Sequence, residues 1–532
     1  MERAESTTEA RPTDPGERTL FDQAWSELDD ALASSGPDDA TEVARRRWFD
    51  LVAGPVPHRA TALRRLPPDV LGERPLLALL AGHDDPTELP HRIGGLRRVG
   101  ETAEVLGDRG RELRRIDRAI MLADQSQAHL ALGRAQSAAA AARGAATELE
   151  QLSAADMRNI DTVGGLHAQA GISLLYTGNS AEALTAFERG LAHAHPLSGG
   201  PALGNVVMLA LLHARNGDGG EAREHIRTAR SSAPRLRHDD AMLLSVAEAI
   251  LALDDLDQDA AREHLADAAV DLRTTPHWMP YVVTAASLEL VAGHPGRGLA
   301  HLDQSMAARG TEGRAAAVRA ALAPARSVLE LALGHPEAAE AVLERDAGEV
   351  DRRIGSARTQ LWLGRHGAAL QQLRPLADAV LSTRRRAEAV ALEAAALLRF
   401  SDEDRARSVV DHLGAIVERS GLLLAAALLP AADVARVTHA LAALGYGEAL
   451  ALDRVVALVH PTGPEVPLTP RETAVLATLM RHSSHSAIAE ELTVSVNTVK
   501  SQLRSVYRKL RVSTRDEAIA IAVDRNLLVE RE

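Results

Sequence analysis

A chain of 532 residues with 46% hydrophobic but only 2% aromatic side chains is too long for one ordinary compact core and too poor in bulky rings for a β-rich one. The expected fold class is therefore all-α, built from closely packed Ala/Leu helices. The absence of cysteine excludes disulfide frameworks, Cys-ligated zinc, iron–sulfur clusters and thiol catalysis together, and the formal charge of −13 is carried by the body of the chain: from Glu465 onward ten Lys/Arg stand against nine Asp/Glu.

Taken in chain order, residues 1–18 are polar, charged and Pro-containing, and read as a disordered tail with no apolar leader segment. No run approaches the ~18 apolar residues of a membrane span. The longest candidate, Leu422 to Leu429, stops at Pro430, so a cytoplasmic protein without a membrane partner is expected. A helix around Leu20 to Leu32 opens an N-terminal helical region, 19–119. Pro55, Pro57, Pro67, Pro68, Pro75, Pro86 and Pro90 keep the helices there short.

From residue 120 to 457 long amphipathic segments alternate with small polar turns. Ala183 precedes Phe187 by four residues, Ala222 precedes Ile226, and Ala261 precedes Leu265, with 39 residues between successive copies. Weaker copies follow at Gly298/Leu302, Ala339/Leu343, Ala369/Leu373 and Ala406/Val410. A small residue four before a large apolar one puts both on one helix face, where the small one admits a neighbouring helix. Pro196, Pro234 and Pro276 are placed to close the first three units. The array resembles degenerate tetratricopeptide repeats, which implies a helical-repeat superhelix whose concave groove binds a protein or small-molecule effector. Residues 458–465, within His460-Pro-Thr-Gly-Pro-Glu-Val-Pro467, read as a linker, and a second domain spans 466–532.

Within that domain Thr469, Pro470 and Glu472 form a capping-box start, followed by the apolar face Val475, Leu476 and Leu479. His482 to Ser486 ends this helix. A short helix from Ala487 to Leu492 and a tight turn at Thr493–Val494 lead to a third helix capped by Ser495. There Val496, Val499, Leu503, Val506 and Leu510 form one stripe. Asn497, Lys500, Ser501, Arg504, Arg508 and Arg511 form the opposite one, and 495–515 holds six basic residues (Lys500, Arg504, Arg508, Lys509, Arg511, Arg515) and no acidic one. A helix with donors and positive charge on one face, after a short helix and a turn, fits a major groove. Thr514 and Glu517 open a fourth helix.

These residues resemble the LuxR/NarL-type helix-turn-helix: Leu468-Thr-Pro-Arg-Glu472, Val475-Leu476, Ile488-Ala489, Leu492, Ser495, Thr498-Val-Lys500, Leu503, Tyr507, Lys509-Leu510, Arg515 and Glu517-Ala518. His482 to His485 depart from the family's first turn, as do Gln502 and Arg511 from its usual His and Gly. The resemblance implies a four-helix domain that binds double-stranded DNA. Lys500, Ser501 and Arg504 would face base edges. Thr498, Arg508 and Lys509 would lie nearer phosphates, with Ser495 and Asn497 at the same surface. A homodimer on DNA would form through Ile519 and Val523 of the last helix. RNA polymerase enters as a further partner on the same grounds. Leu63 to Leu80 is similar to the start of the repeat region in the large ATP-dependent LuxR-type regulators. Their NTPase module has no counterpart here, because Lys500 and Lys509 are the only lysines and a Walker A loop needs one upstream. A receiver domain, a Schiff-base enzyme and a kinase fall on the same count.

His193 with His195, and His482 with His485, lack carboxylates in a ligand pattern, and the glycines near Gly94 lack a phosphate-cradle spacing. Trp25, Trp48, Trp278 and Trp362 read as core anchors. No G-x-S-x-G or Ser/His/Asp arrangement occurs, so neither a cofactor, a metal nor an enzyme is expected. The reading is a sequence-specific transcriptional regulator with a sensing array. Its rivals are a helical-repeat adaptor whose C-terminal module binds protein, and a repeat-scaffolded hydrolase.

Overall fold

The computed structural model describes residues 15–52, 66–82, 113–153, 160–192, 203–232, 238–268, 277–400, 403–447, 450–459, 468–482 and 484–510, with isolated positions at 63, 236, 275, 515, 518 and 519. Among the described residues the chain is helical, with two 3-10 turns and no strand. None of its helices is long and apolar enough to cross a membrane.

Five helices begin it: α1 (Pro15–Ser34), α2 (Pro37–Arg46), α3 (Trp48–Val52), α4 (Pro68–Glu73) and α5 (Pro75–Gly82). Residues 15–18, expected in the tail, are already helical, because Pro15 suits a first turn in which no N–H is required. Proline also starts α2, α4 and α5. Trp25 and Trp48 are buried, and Trp25 Nε1 donates to the Leu51 carbonyl at 3.1 Å. This N-terminal core continues without a break to Leu166.

Eight helical hairpins follow: α6 (Arg115–Ala131) with α7 (Ala135–Glu150), α8 (Ile160–Tyr176) with α9 (Ser180–Ala192), α10 (Leu203–Asn216) with α11 (Gly219–Ser231), and α12 (His238–Asp254) with α13 (Gln258–Asp267). Then come α14 (Trp278–Val291) with α15 (Pro295–Ala308), a single turn α16 (Gly310–Gly313), α17 (Ala316–Ala332) with α18 (Pro336–Asp346), α19 (Glu349–Trp362) with α20 (His366–Leu373), and α21 (Thr383–Leu397) with α22 (Glu403–Ser420). In every copy read from the sequence, the small residue and its large partner are buried together on the second helix, including the weaker copies from Gly298 to Val410. The first hairpin carries the same register as Ala138 and Ala142, both fully buried. Because both are small, the small-then-large pattern passes over it. Pro196, Pro234 and Pro276 lie outside the described residues, as do Gly94, His193 and His195.

The turns of the first seven hairpins share one device. Five residues before the small residue stands a glycine in the left-handed region: Gly133, Gly178, Gly217, Gly293, Gly334 or Gly364. The next N–H reaches back five residues, as from Asn179 to Leu174 at 2.8 Å, which satisfies a carbonyl that the helix end leaves open. In the fourth hairpin Leu256 holds this position at φ 56°, with Asp257 N–H on the Ala252 carbonyl at 2.8 Å.

The stacked hairpins close on themselves. Helix α21 meets α10, and the short α23 (Leu423–Ala427) meets α12. Arg384 forms the clasp: its guanidinium binds both Asp254 oxygens at 2.5 and 2.7 Å and donates to the Ala214 and Arg215 carbonyls at 2.8 Å. Thr383 Oγ1 donates to Asp218 at 2.5 Å. Gly217 is required here twice over: its φ is +87°, and a Cβ on it would sit 2.9 Å from the Arg384 backbone nitrogen.

After α24 (Ala431–Ala443) the chain returns to the body. Leu458 and Val459, expected in the linker, belong to it: Leu458 N–H donates to the Ala427 carbonyl at 2.9 Å, Val459 pairs with Pro430, and its side chain is fully buried. Their apolar side chains fill the cores beneath, which a count of prolines and glycines does not register.

Candidate nucleic-acid interface

Residues 468 onward form a separate small core. Helix α25 (Pro470–Arg481) starts with the capping box expected from the sequence: Thr469 Oγ1 accepts the Glu472 N–H, and Glu472 accepts the Thr469 N–H at 2.7 Å. Helix α26 is His485–Glu491, two residues earlier than read, because Ser484 caps it by accepting the Ala487 N–H at 3.2 Å. The turn at Thr493–Val494 closes as the repeat turns do, with Thr493 at φ 54° and Val494 N–H on the Ala489 carbonyl at 3.0 Å. Ser495 then caps α27 (Val496–Leu510) by accepting the Thr498 N–H at 3.1 Å.

Val475, Leu476, Leu479, Ile488 and Ala489 cover Val499, Leu503, Val506 and Leu510 of α27 and fix its rotation. Val496, read as part of the stripe, is instead exposed, since it lies in the first turn ahead of the covering helices. The opposite face holds Ser495, Asn497, Thr498, Lys500, Ser501, Arg504 and Arg508, all exposed. Ser495 and Thr498 join hydroxyls at 2.8 Å, and Ser501 donates to the Thr498 carbonyl at 2.9 Å. Lys500 and Arg504 make no ion pair among the described residues. Among the described residues Arg508 has only a long contact to Ser505, at 3.5 Å.

Two of the six cations read as one basic footprint do not belong to that face. Lys509 Nζ binds the buried Glu472 at 2.6 Å, at a position about 90° around the helix from the centre of the apolar stripe. Arg515 turns inward, donating to the Leu479 and His482 carbonyls at 2.9 and 3.2 Å, where it satisfies the end of α25. Arg511 lies outside the described residues. Glu472, seen in the sequence only as a cap, also accepts from Ser505 at 2.8 Å. Although burial works against its charge, the hydrogen bonds from Lys509, the Thr469 N–H and Ser505 hold its carboxyl at about 2. The Lys509 and Ser505 positions could have been found from their place on one flank of the helix. In the divergent first turn, Arg481 and His482 are both tied to Glu491. Ala518 joins the domain core, Ile519 beside it is half-buried, and Val523 lies outside the described residues.

A short helix, a tight turn and a second helix held by its apolar side with its cations outward define a helix-turn-helix DNA-binding domain. Residues 466–522 match the family described as bacterial regulatory proteins, luxR family, and the domain is of that LuxR type. The same stretch is similar to the HTH-type transcriptional regulator MalT of Vibrio campbellii, 42% identical over 67 residues, and of Yersinia pestis, 42% identical over 66. Each match covers 12% of this chain and 7% of the relative's length. Among solved structures, the chain is similar to a Rap protein complexed with competence and sporulation factor, with a TM-score of 0.42 and 13% identity over 64% of this chain and 96% of that one.

Proposed function

We propose that the chain is a sequence-specific transcriptional regulator in which α27 enters the major groove. Lys500, Ser501 and Arg504 then read base edges, with Asn497 beside them, while Ser495, Thr498 and Arg508 hold phosphates. Arg504 on a guanine is the principal contact. The observation that carries this reading is the division of α27 into a side whose Val499, Leu503, Val506 and Leu510 are buried and an exposed side whose Lys500 and Arg504 pair with no carboxylate among the described residues. Lys509 drops out of the phosphate set because Glu472 already holds it. In this reading the helical array is the sensor, its ligand changes how the C-terminal domain is presented, and Ile519 with Val523 supports a homodimer on DNA that engages RNA polymerase.

Genomic footprinting of the full chain, followed by anisotropy on the recovered site, tests it. Arg504→Ala should relax preference at one base position with a discrimination loss of about 1–3 kcal/mol, and Arg508→Ala should weaken all sequences alike. The salt slope should correspond to about three cations per domain. Wild-type affinity and selectivity in both variants would remove α27 from the groove.

A further inference from the structure

Where the eighth hairpin closes on the third and fourth, a cavity of about 680 Å³ is left, within the size range of small-molecule sites. One wall is built by α11, α12 and α13, the other by α22, α23 and the segment after α24 from Leu450 to Arg454. The walls touch beside it: a Cβ on Gly219 would lie 3.1 Å from the Ser420 carbonyl oxygen, and one on Gly421 3.0 Å from Asp255 Oδ1. Ile226 and Leu251 reach the cavity from one hydrophobic core, and Val417, Leu423 and Leu450 from another, so it lies on the seam between the two. The charges around this apolar floor divide into matched and unmatched groups. Arg223 pairs with Asp255 at 3.2 Å, and Glu248 with Arg230 at 2.7 Å. Arg227, Arg454 and Glu418 also line the cavity, are exposed, and form no ion pair among the described residues. Apart from His264 no ring lines it, so it lacks the stacking platform that a nucleobase takes. Ala451, in the lining, and Leu256, between Asp255 and Asp257 of the lining, are two of the three non-glycine residues held in the left-handed region among the described residues, a strain that gathers at ligand-holding sites.

An apolar floor with a few unmatched charges of both signs selects a ligand that is apolar in body and carries both a cation and an anion, because each charge leaving water must meet its opposite. We propose that this cavity binds a small zwitterion with an aliphatic body, a free apolar amino acid or a dipeptide, whose carboxylate meets Arg227 and Arg454 and whose ammonium meets Glu418. This rests on the reading of the array as a sensor and names the chemistry it senses. A ligand so placed joins α11 to α22 and to the turn that holds Arg454, and strengthens the contact that closes the array. It thereby bears on the segment that runs from Leu450 to the Ala427–Leu458 hydrogen bond and on to the DNA-binding domain.

The test follows thermal unfolding of the full chain as L-leucine, leucyl-leucine, N-acetyl-leucine, leucinamide or glycine is added. Leucine, leucyl-leucine or both should raise the Tm above the glycine control, because a ligand held only by the folded state adds to its stability, and which one does so separates an amino acid from a dipeptide. N-acetyl-leucine, which lacks the ammonium, and leucinamide, which lacks the carboxylate, should each need about tenfold more ligand for the same shift. Arg227→Gln and Glu418→Gln, both at exposed positions, should weaken the response to leucine or leucyl-leucine by about tenfold. Arg262→Gln, on α13 but outside the cavity lining, should keep the wild-type response, which separates the site from general surface charge. No rise above glycine with either ligand, an equal response to the acetylated or amidated form, or an unchanged response in both Arg227→Gln and Glu418→Gln would each overturn the proposal. DNA affinity of the same samples is read in parallel. Stabilisation by leucine or leucyl-leucine with no change in DNA affinity would support the site while refuting the reading of the array as a sensor.

Discussion

Glu472 ties the first helix of the C-terminal domain to the recognition helix through a single carboxylate, and Glu472→Gln isolates what that charge contributes. The amide can still accept from Thr469 N–H and Ser505 but leaves Lys509 without its counter-charge. A carboxyl held at about 2 rather than its ordinary 4.5 contributes about 3 kcal/mol at neutral pH, little discounted because the side chain is almost wholly buried. The folded-state pKa is the depressed one, so this stability is complete above the unfolded-state value and is lost on acidification. It falls by about half near pH 3 and is gone near pH 2. Hydrogen exchange on the full chain at pH 7, followed by mass spectrometry of peptides within 470–510, should show protection reduced about 100- to 200-fold in the variant. Protection within about threefold of wild type would refute the clamp.

Lys509→Met should destabilise the same peptides by about 3 kcal/mol, because it strands the buried carboxylate, yet leave the salt slope of DNA binding unchanged. Lys500→Met should do the opposite, lowering the slope by about one without a loss of protection. Thr493→Gly removes a β-branched residue from the left-handed region and should stabilise the domain by about 1 kcal/mol, read as increased protection of α26 and α27. Gly217→Ala should lower the Tm of the array by several degrees and open the α10–α21 contact to limited proteolysis, since its new methyl group meets the Arg384 backbone.

The parts of the fold legible in the sequence were those written in local pattern. Ala183 with Phe187 announces a second helix because the pairing obeys helical spacing, and Thr469-Pro-Arg-Glu472 announces α25 because its capping chemistry lies within four residues. Ser484 went unread because a cap at the end of a polar run leaves no contrast, and the α7 register was hidden by its alanines. What stayed out of reach depended on distance along the chain. Nothing near Arg384 signals that it will bind Asp254, 130 residues earlier. The exposed row on α27 was visible as a stripe, but Lys509 and Arg515 could be separated from it only by knowing which carboxylate and which carbonyls lay opposite.

That contact across the array changes how the whole assembly comes apart. In an open solenoid each unit answers only to its neighbours, so terminal units fray independently and stability accrues by nearest-neighbour steps. Here Thr383 and Arg384 reach back 165 and 130 residues to Asp218 and Asp254, and the eighth hairpin cannot loosen without exposing the third and fourth. Melting from that end is suppressed, unfolding gains cooperativity, and assembly acquires a late, entropically costly step in which a long loop must close before its reward is collected.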